Sequence, residues 1–154
     1  MESTPALADP RLGAIEHRIV RHDPVDSLGE AAALRGVEPS AVIKTMVVRR
    51  GGVDYLFVLV SGDRVISWPK LRSHLGVSRL SMPDAEQALQ ATGYRRGTIT
   101  PLGSSHSWPV IADTHAASGE VSIGGGAPGV SITVDGADLV RILSATVADV
   151  TEPA

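Results

Sequence analysis

The chain has 154 residues, 43% hydrophobic and 20% charged, with a net charge of −3, which is about one ordinary domain, long enough to bury most of its unfolded surface in a single core. No apolar run reaches the roughly 18 residues of a membrane helix, and the start MESTPALADPRLG has neither a basic opening nor a hydrophobic signal core, so a cytoplasmic protein with no membrane partner is expected. Zero cysteines exclude disulfides, thiolate nucleophiles and cysteine-ligated zinc, and the acidic balance argues against a surface coated with positive potential for non-specific nucleic-acid binding.

After a loose start, IEHRIVRHD (15–23) alternates well enough for an edge strand. DSLGEAAALRG predicts a short helix over 27–35, with Asp26 or Ser27 as cap, Glu30 in the first turn and Gly36 as stop. Two β-branched runs, 42–50 and 53–60, joined at Gly51-Gly52, predict a hairpin. Both runs are largely apolar, so the sheet they enter is expected to be covered on both faces. ISWPKLRSHLG predicts a helix capped by Ser67 and ended by Gly76, VSRLS a short strand, and MPDAEQALQATG a helix with Pro83 near its start and Gly93 at its stop. WPVIAD predicts a strand over about 108–113. The last part reads as strand 119–123, glycine-rich loop 124–129, strand 130–134, helix 136–143 and a short strand near 147–150. Strands and helices do not alternate regularly enough for a Rossmann sheet. The expected fold is α+β, a mixed, strongly curved, barrel-like sheet with surrounding helices, in one domain spanning 1–154 with its core at about 15–150.

Twelve of the fourteen basic residues are arginine; only Lys44 and Lys70 are lysine, the compact point charge rather than the planar fork. Period-two geometry puts Val42, Lys44, Met46 and Val48 on one face of their strand and Ile43, Thr45 and Val47 on the other. Lys44 is then either an edge lysine reaching water or a lysine at a pocket floor, holding a phosphate or a carbonyl. The segment GGGAPG (124–129) is either an anion-binding nest or an irregular hairpin loop, and it is not a dinucleotide fingerprint because no helix opens after it. Asp113-x-His115, His17 and His22 do not form a metal-binding spacing, and no metal or other cofactor is expected. No G-x-S-x-G elbow is present, and Ser104-Ser105-His106 lacks an identifiable acid. Arg49-Arg50 and Arg95-Arg96 are expected at a turn and a loop, and arginines at a pocket mouth would suit phosphates. No helix with a basic face is available to read specific DNA.

VIKTMVV, ATGYRRGTITPLG and IGGGAPGVSITV followed by DLVRIL, in this order and at these separations, resemble the YbaK/ProX-type aminoacyl-tRNA editing domains, relatives of the insertion domain of bacterial prolyl-tRNA synthetase. The resemblance runs from about His17 to Val150. It implies a compact α+β domain that hydrolyses the ester of misacylated tRNA, commonly tRNA for proline charged with alanine or cysteine. Its partners would be the 3′ CCA end of that tRNA and prolyl-tRNA synthetase. Lys44 matches the family's functional lysine. Gly97, Thr98, Ile99, Thr100 and Pro101 match the G-x-x-x-P loop whose backbone surrounds the aminoacyl group. Gly124, Gly125, Gly126 and Gly129 match the glycine-rich loop near the terminal adenosine. Val20 and Ser131 fall where some members have a tyrosine and an acid.

The implied chemistry agrees with the composition. An aminoacyl ester is already activated, so a free-standing trans-editing deacylase needs neither metal nor covalent nucleophile; positioning can provide much of the acceleration, and a ribose hydroxyl beside the ester can help activate water or stabilise charge. A non-catalytic module binding a tRNA 3′ end, a synthetase or a small amino-acid-like ligand is the alternative. Gly97→Val is expected to cost activity more than stability.

Overall fold

The computed structural model describes residues 3–154. A mixed seven-stranded sheet forms its centre, with the order β1-β7-β6-β2-β3-β5-β8. In chain order these are β1 (His17–Arg21), β2 (Val42–Gly51), β3 (Asp54–Ser61), β5 (Val110–Asp113), β6 (Glu120–Gly124), β7 (Val130–Asp135) and β8 (Thr146–Ala148). Two further short strands, β4 (Arg64–Ile66) and β9 (Thr151–Pro153), pair with each other. The four helices are α1 (Leu28–Arg35), α2 (Trp68–Leu75), α3 (Ala85–Thr92) and α4 (Gly136–Leu143). The α+β expectation holds, with antiparallel pairing in β1/β7, β2/β3 and β6/β7 and parallel pairing in β2/β6, β3/β5 and β5/β8.

The helix boundaries follow their capping chemistry. Ser27 accepts from the Glu30 N–H and Gly36 ends α1 at φ 74°; Ser67 caps α2 and Gly76 ends it at φ 67°. In α3 the cap is Asp84, paired reciprocally with Gln87, so Pro83 stands outside the helix. VSRLS forms no strand: the Val77 N–H closes the C-terminal turn of α2 on Arg72 O, and only Ser81 reaches β2, in one isolated bridge to Arg49. The strand expected near 147–150 is split into β8 and β9, since the Val150 N–H is taken by the buried Asp113 carboxylate at 3.0 Å.

The two faces of the β2/β3 hairpin bury two separate cores. Ile43, Val47, Phe57 and Leu59 join Tyr94, Leu102, Ile123, Ile132 and Leu139 on one side. Val48, Leu56, Val58 and Val60 pack with Ile66, Leu71, Ile111 and Val150 on the other. This is why both strands read as continuous apolar runs. The opening segment is not loose: Ala6 and Leu12 are buried in the first core, and Pro10–Ala14 form a 3₁₀ turn capped by Asp9.

Candidate functional site

The site begins where two neighbouring strands part. β6 pairs with β2 only at Val42 and Ile43, and the next partner along that edge is Ser81, opposite Arg49. The backbone direction at this gap follows from its neighbours. The Phe57 N–H donates to Pro109 O at 2.8 Å, away from β2, so Phe57 and its register partner Val47 form a non-hydrogen-bonded pair. By alternation the N–H and C=O of Thr45 and Val47 face the open edge.

A cavity of about 590 Å³ lies against this edge. Lys44 and Thr45 of β2, Ala88 of α3, Gly97 and Ile99 of the loop after α3, and Gly124 at the end of β6 all line it, with Arg35 and Arg96. Among the sequence-predicted residues the structure therefore brings Lys44, Gly97, Ile99 and Gly124 around one space. Thr98, Thr100, Pro101, Gly125, Gly126 and Gly129 do not border it. Thr98 closes a turn onto Arg95 O. Thr100 is fully buried and its hydroxyl accepts from the Leu102 N–H at 3.3 Å. The Pro101 carbonyl accepts from the Arg11 guanidinium at 3.4 Å. Gly125 N–H donates to Val130 O, while Gly126 (φ 91°) packs on Tyr94, Ala6 and Thr4, and Gly129 (φ 71°) on the His22 carbonyl.

Lys44 is half-buried on the face that period-two geometry assigned, and its ammonium donates to Arg64 O at 2.8 Å. No carboxylate lies within ion-pair distance of it among the described residues, so a lysine ammonium with donors to spare stands at the cavity wall. The Thr45 hydroxyl is buried and has no protein partner. Backbone donors and acceptors along the open edge and an uncompensated cation can bind a substrate's ammonium, its carbonyl and a developing oxyanion.

What holds the two loops in place was missed by sequence reasoning. Thr4 Oγ1 donates to Gly125 O, and the Asp9 carboxylate accepts from the Gly103 N–H at 2.9 Å and pairs with Arg11 at 2.7 Å. Burial alone would raise the Asp9 pKa, but the hydrogen bonds from Arg11 and Gly103 outweigh it and hold it at about 2. The Tyr94 hydroxyl donates to Leu102 O at 2.6 Å, and burial, with the Asp9 charge, pushes it up to about 12. The signal was available in DPR, an N-cap followed by proline. Val20 and Ser131 turn out to be register partners on β1 and β7, and the Ser131 hydroxyl is buried without a partner. Asp113 and His115 are also together, their side chains 2.9 Å apart, with Asp113 fully buried and tied to backbone.

Residues 22–142 match the family model of the aminoacyl-tRNA editing domain. The chain belongs to that family. The proline–tRNA ligase of Geobacter sp. (strain M21) is 33% identical over 106 residues, which is 69% of this chain and 18% of that protein. The proline–tRNA ligase of Thermotoga maritima is 33% identical over 79 residues, or 51% of this chain and 14% of that one. The editing-family chain thus spans about a fifth of the length of these curated relatives or less. A crystal structure described as a candidate trans-editing enzyme for prolyl-tRNA synthetase superposes with a TM-score of 0.84 over 99% of both chains at 24% identity, and a hypothetical protein with a TM-score of 0.81 at 27% identity, covering 93% of this chain and 95% of that one. Membership implies aminoacyl-tRNA deacylation in broad terms. Among the described residues no helix is long and apolar enough to cross a membrane.

Proposed function

We propose that this editing domain acts in trans, in the cytoplasm, as a deacylase of tRNA for proline carrying alanine or cysteine. The observation that carries the reading is the convergence of Lys44, Gly97, Ile99 and Gly124 on one cavity at an unpaired strand edge. The cavity is large enough for an amino acid with its adenosine. The open C=O groups of Thr45 and Val47 would accept from the substrate's α-ammonium, and the N–H groups would donate to the ester carbonyl. Lys44, as a cation beside that carbonyl, would stabilise the oxyanion that forms when water attacks the carbonyl carbon. The bond to the ribose oxygen then breaks, that oxygen takes a proton, and the free amino acid leaves. The neighbouring ribose hydroxyl would orient the water and pass the proton, with no metal and no covalent enzyme intermediate. For a cysteinyl substrate the thiol would attack in place of water, passing its proton to the departing ribose oxygen, and the cyclic thioester so formed would be opened by water to cysteine. Discrimination by one methylene is worth only roughly 1–3 kcal/mol, so a wall of backbone must exclude the larger proline.

The test is deacylation across a panel of misacylated tRNAs at micromolar enzyme, with prolyl-tRNA synthetase added or withheld. Release of alanine or cysteine from tRNA for proline is expected. Lys44→Ala should lower kcat/KM by about 100-fold, the order of loss for one removed oxyanion donor, while circular dichroism and the melting temperature stay close to wild type. Lys44→Arg should not restore the rate, because a planar fork does not replace a point charge. Silence across the panel with tight tRNA or synthetase binding would instead favour a binding module, a reading to which the missing acid at Ser131 lends weight.

A further inference from the structure

Arg35 ends α1 and lines the same cavity as Lys44, and the functional reading leaves it without a role. Its guanidinium is half-buried, yet among the described residues no carboxylate lies within 4 Å of it. Its Nε is buried with no acceptor, and its one hydrogen bond is a long one, 3.4 Å from Nη1 to Ser122 Oγ. Burial lowers its pKa from the ordinary arginine value with nothing to counter it. Ser122 stands opposite Val42 in the β6/β2 register, and Val42 shares its face with Lys44. Two cations therefore converge on one side of β2, Arg96 stands at the cavity wall as well, and no acidic residue lines the space. A desolvated guanidinium lacking an anion is costly for the protein alone. It is accounted for by a ligand that brings the anion.

We propose that Arg35 is the anchor of a phosphate subsite at the cavity wall, which binds a phosphate ester of a nucleotide. A guanidinium fork suits two phosphate oxygens at once. Assigning that phosphate as the one on the 5′ side of the tRNA's terminal adenosine rests on the deacylase reading; the subsite itself does not.

The experiment titrates the full chain with AMP, adenosine and inorganic phosphate at constant ionic strength, by calorimetry and thermal shift. AMP should bind at least about 10-fold more tightly than adenosine, and Arg35→Gln should bring the two within about 2-fold, with Arg35→Lys between. The melting temperature of unliganded Arg35→Gln should stay within about 2 °C of wild type or rise, since only a helix-terminus charge and one long hydrogen bond to Ser122 are lost; a fall of several degrees would mark a structural arginine and overturn the proposal. Equal binding of AMP and adenosine by the wild type, or a preference that survives Arg35→Gln, would do the same. Inorganic phosphate binding as tightly as AMP would overturn the nucleotide assignment. An AMP preference lost in Arg35→Gln, together with a silent deacylation panel, would leave the subsite standing and remove the proposed function.

Discussion

Gly97 and Gly124 border the cavity, while Gly103, Gly126 and Gly129, in the same two loops, face away from it. A Cβ added at Gly97 would meet nothing within 4 Å, and one at Gly124 only Ile99 O at 4.0 Å. A Cβ at Gly103 would come to 2.3 Å from the Pro5 carbonyl, at Gly126 to 3.0 Å from the Tyr94 ring, and at Gly129 to 2.2 Å from His22 O. Gly97 and Gly124 leave the cavity wall open, and the other three let the loops close onto the N-terminal segment, Tyr94 and His22. The same residue type in one short motif thus serves two purposes, and only neighbours that are distant in sequence tell them apart.

The strongest way to break this distinction is at Gly129. Gly129→Ala combines a left-handed φ of 71° with a clash against backbone that has nowhere to go. It should cost roughly 3 kcal/mol or more, a fall of about 6–12 °C in melting temperature for a chain of this size. A melting temperature within 2 °C of wild type would mean that the loop is not seated on His22.

The anchoring side has a pH signature as well. Asp9 titrates at about 2 in the folded protein, below its ordinary value of 3.8, so its contribution is present above about pH 4 and lost as pH falls toward 2. The shift corresponds to about 2 kcal/mol. Denaturant unfolding between pH 4 and pH 2 should show wild type losing about that much more stability than Asp9→Asn, which starts lower and has no such carboxylate to protonate. Parallel pH profiles would show that the N-terminal clamp does not hold the loop.

Legibility in the sequence followed the range of the interactions. Capped helices were readable because Ser27, Ser67, Gly36 and Gly93 act on residues three or four away. The double-sided hairpin was readable because Ile43, Val47, Val48 and Val58 carry the burial of both faces in their own composition. Lys44 stood out as a charge among apolar neighbours. What was not legible depends on separation: Thr4 reaches Gly125 across 121 positions and Asp9 reaches Gly103 across 94. Arg35 was hidden for the same reason, since a last-turn arginine on a helix looks like ordinary dipole complementation until the absence of a partner is seen in three dimensions.

Gly97→Val, expected from sequence to cost activity more than stability, is not a clean probe of the open side. The φ of 90° at Gly97 strains any side chain there, most of all a β-branched one. Gly124→Ala is the sharper substitution, because Gly124 has no left-handed φ and its new methyl would stand in ordinary contact distance of Ile99 O. Stability should change by less than about 1 kcal/mol, with ending a strand on alanine rather than glycine even mildly favourable. The methyl would narrow the gap between the two loops, so deacylation should fall by about 10-fold for an alanyl ester and further for any bulkier aminoacyl group, as one methylene's worth of pocket volume implies. If Gly124→Ala kept full activity toward every aminoacyl group, the guest would lie elsewhere along the β2 edge, and the division between space-keeping and loop-closing glycines would not describe specificity.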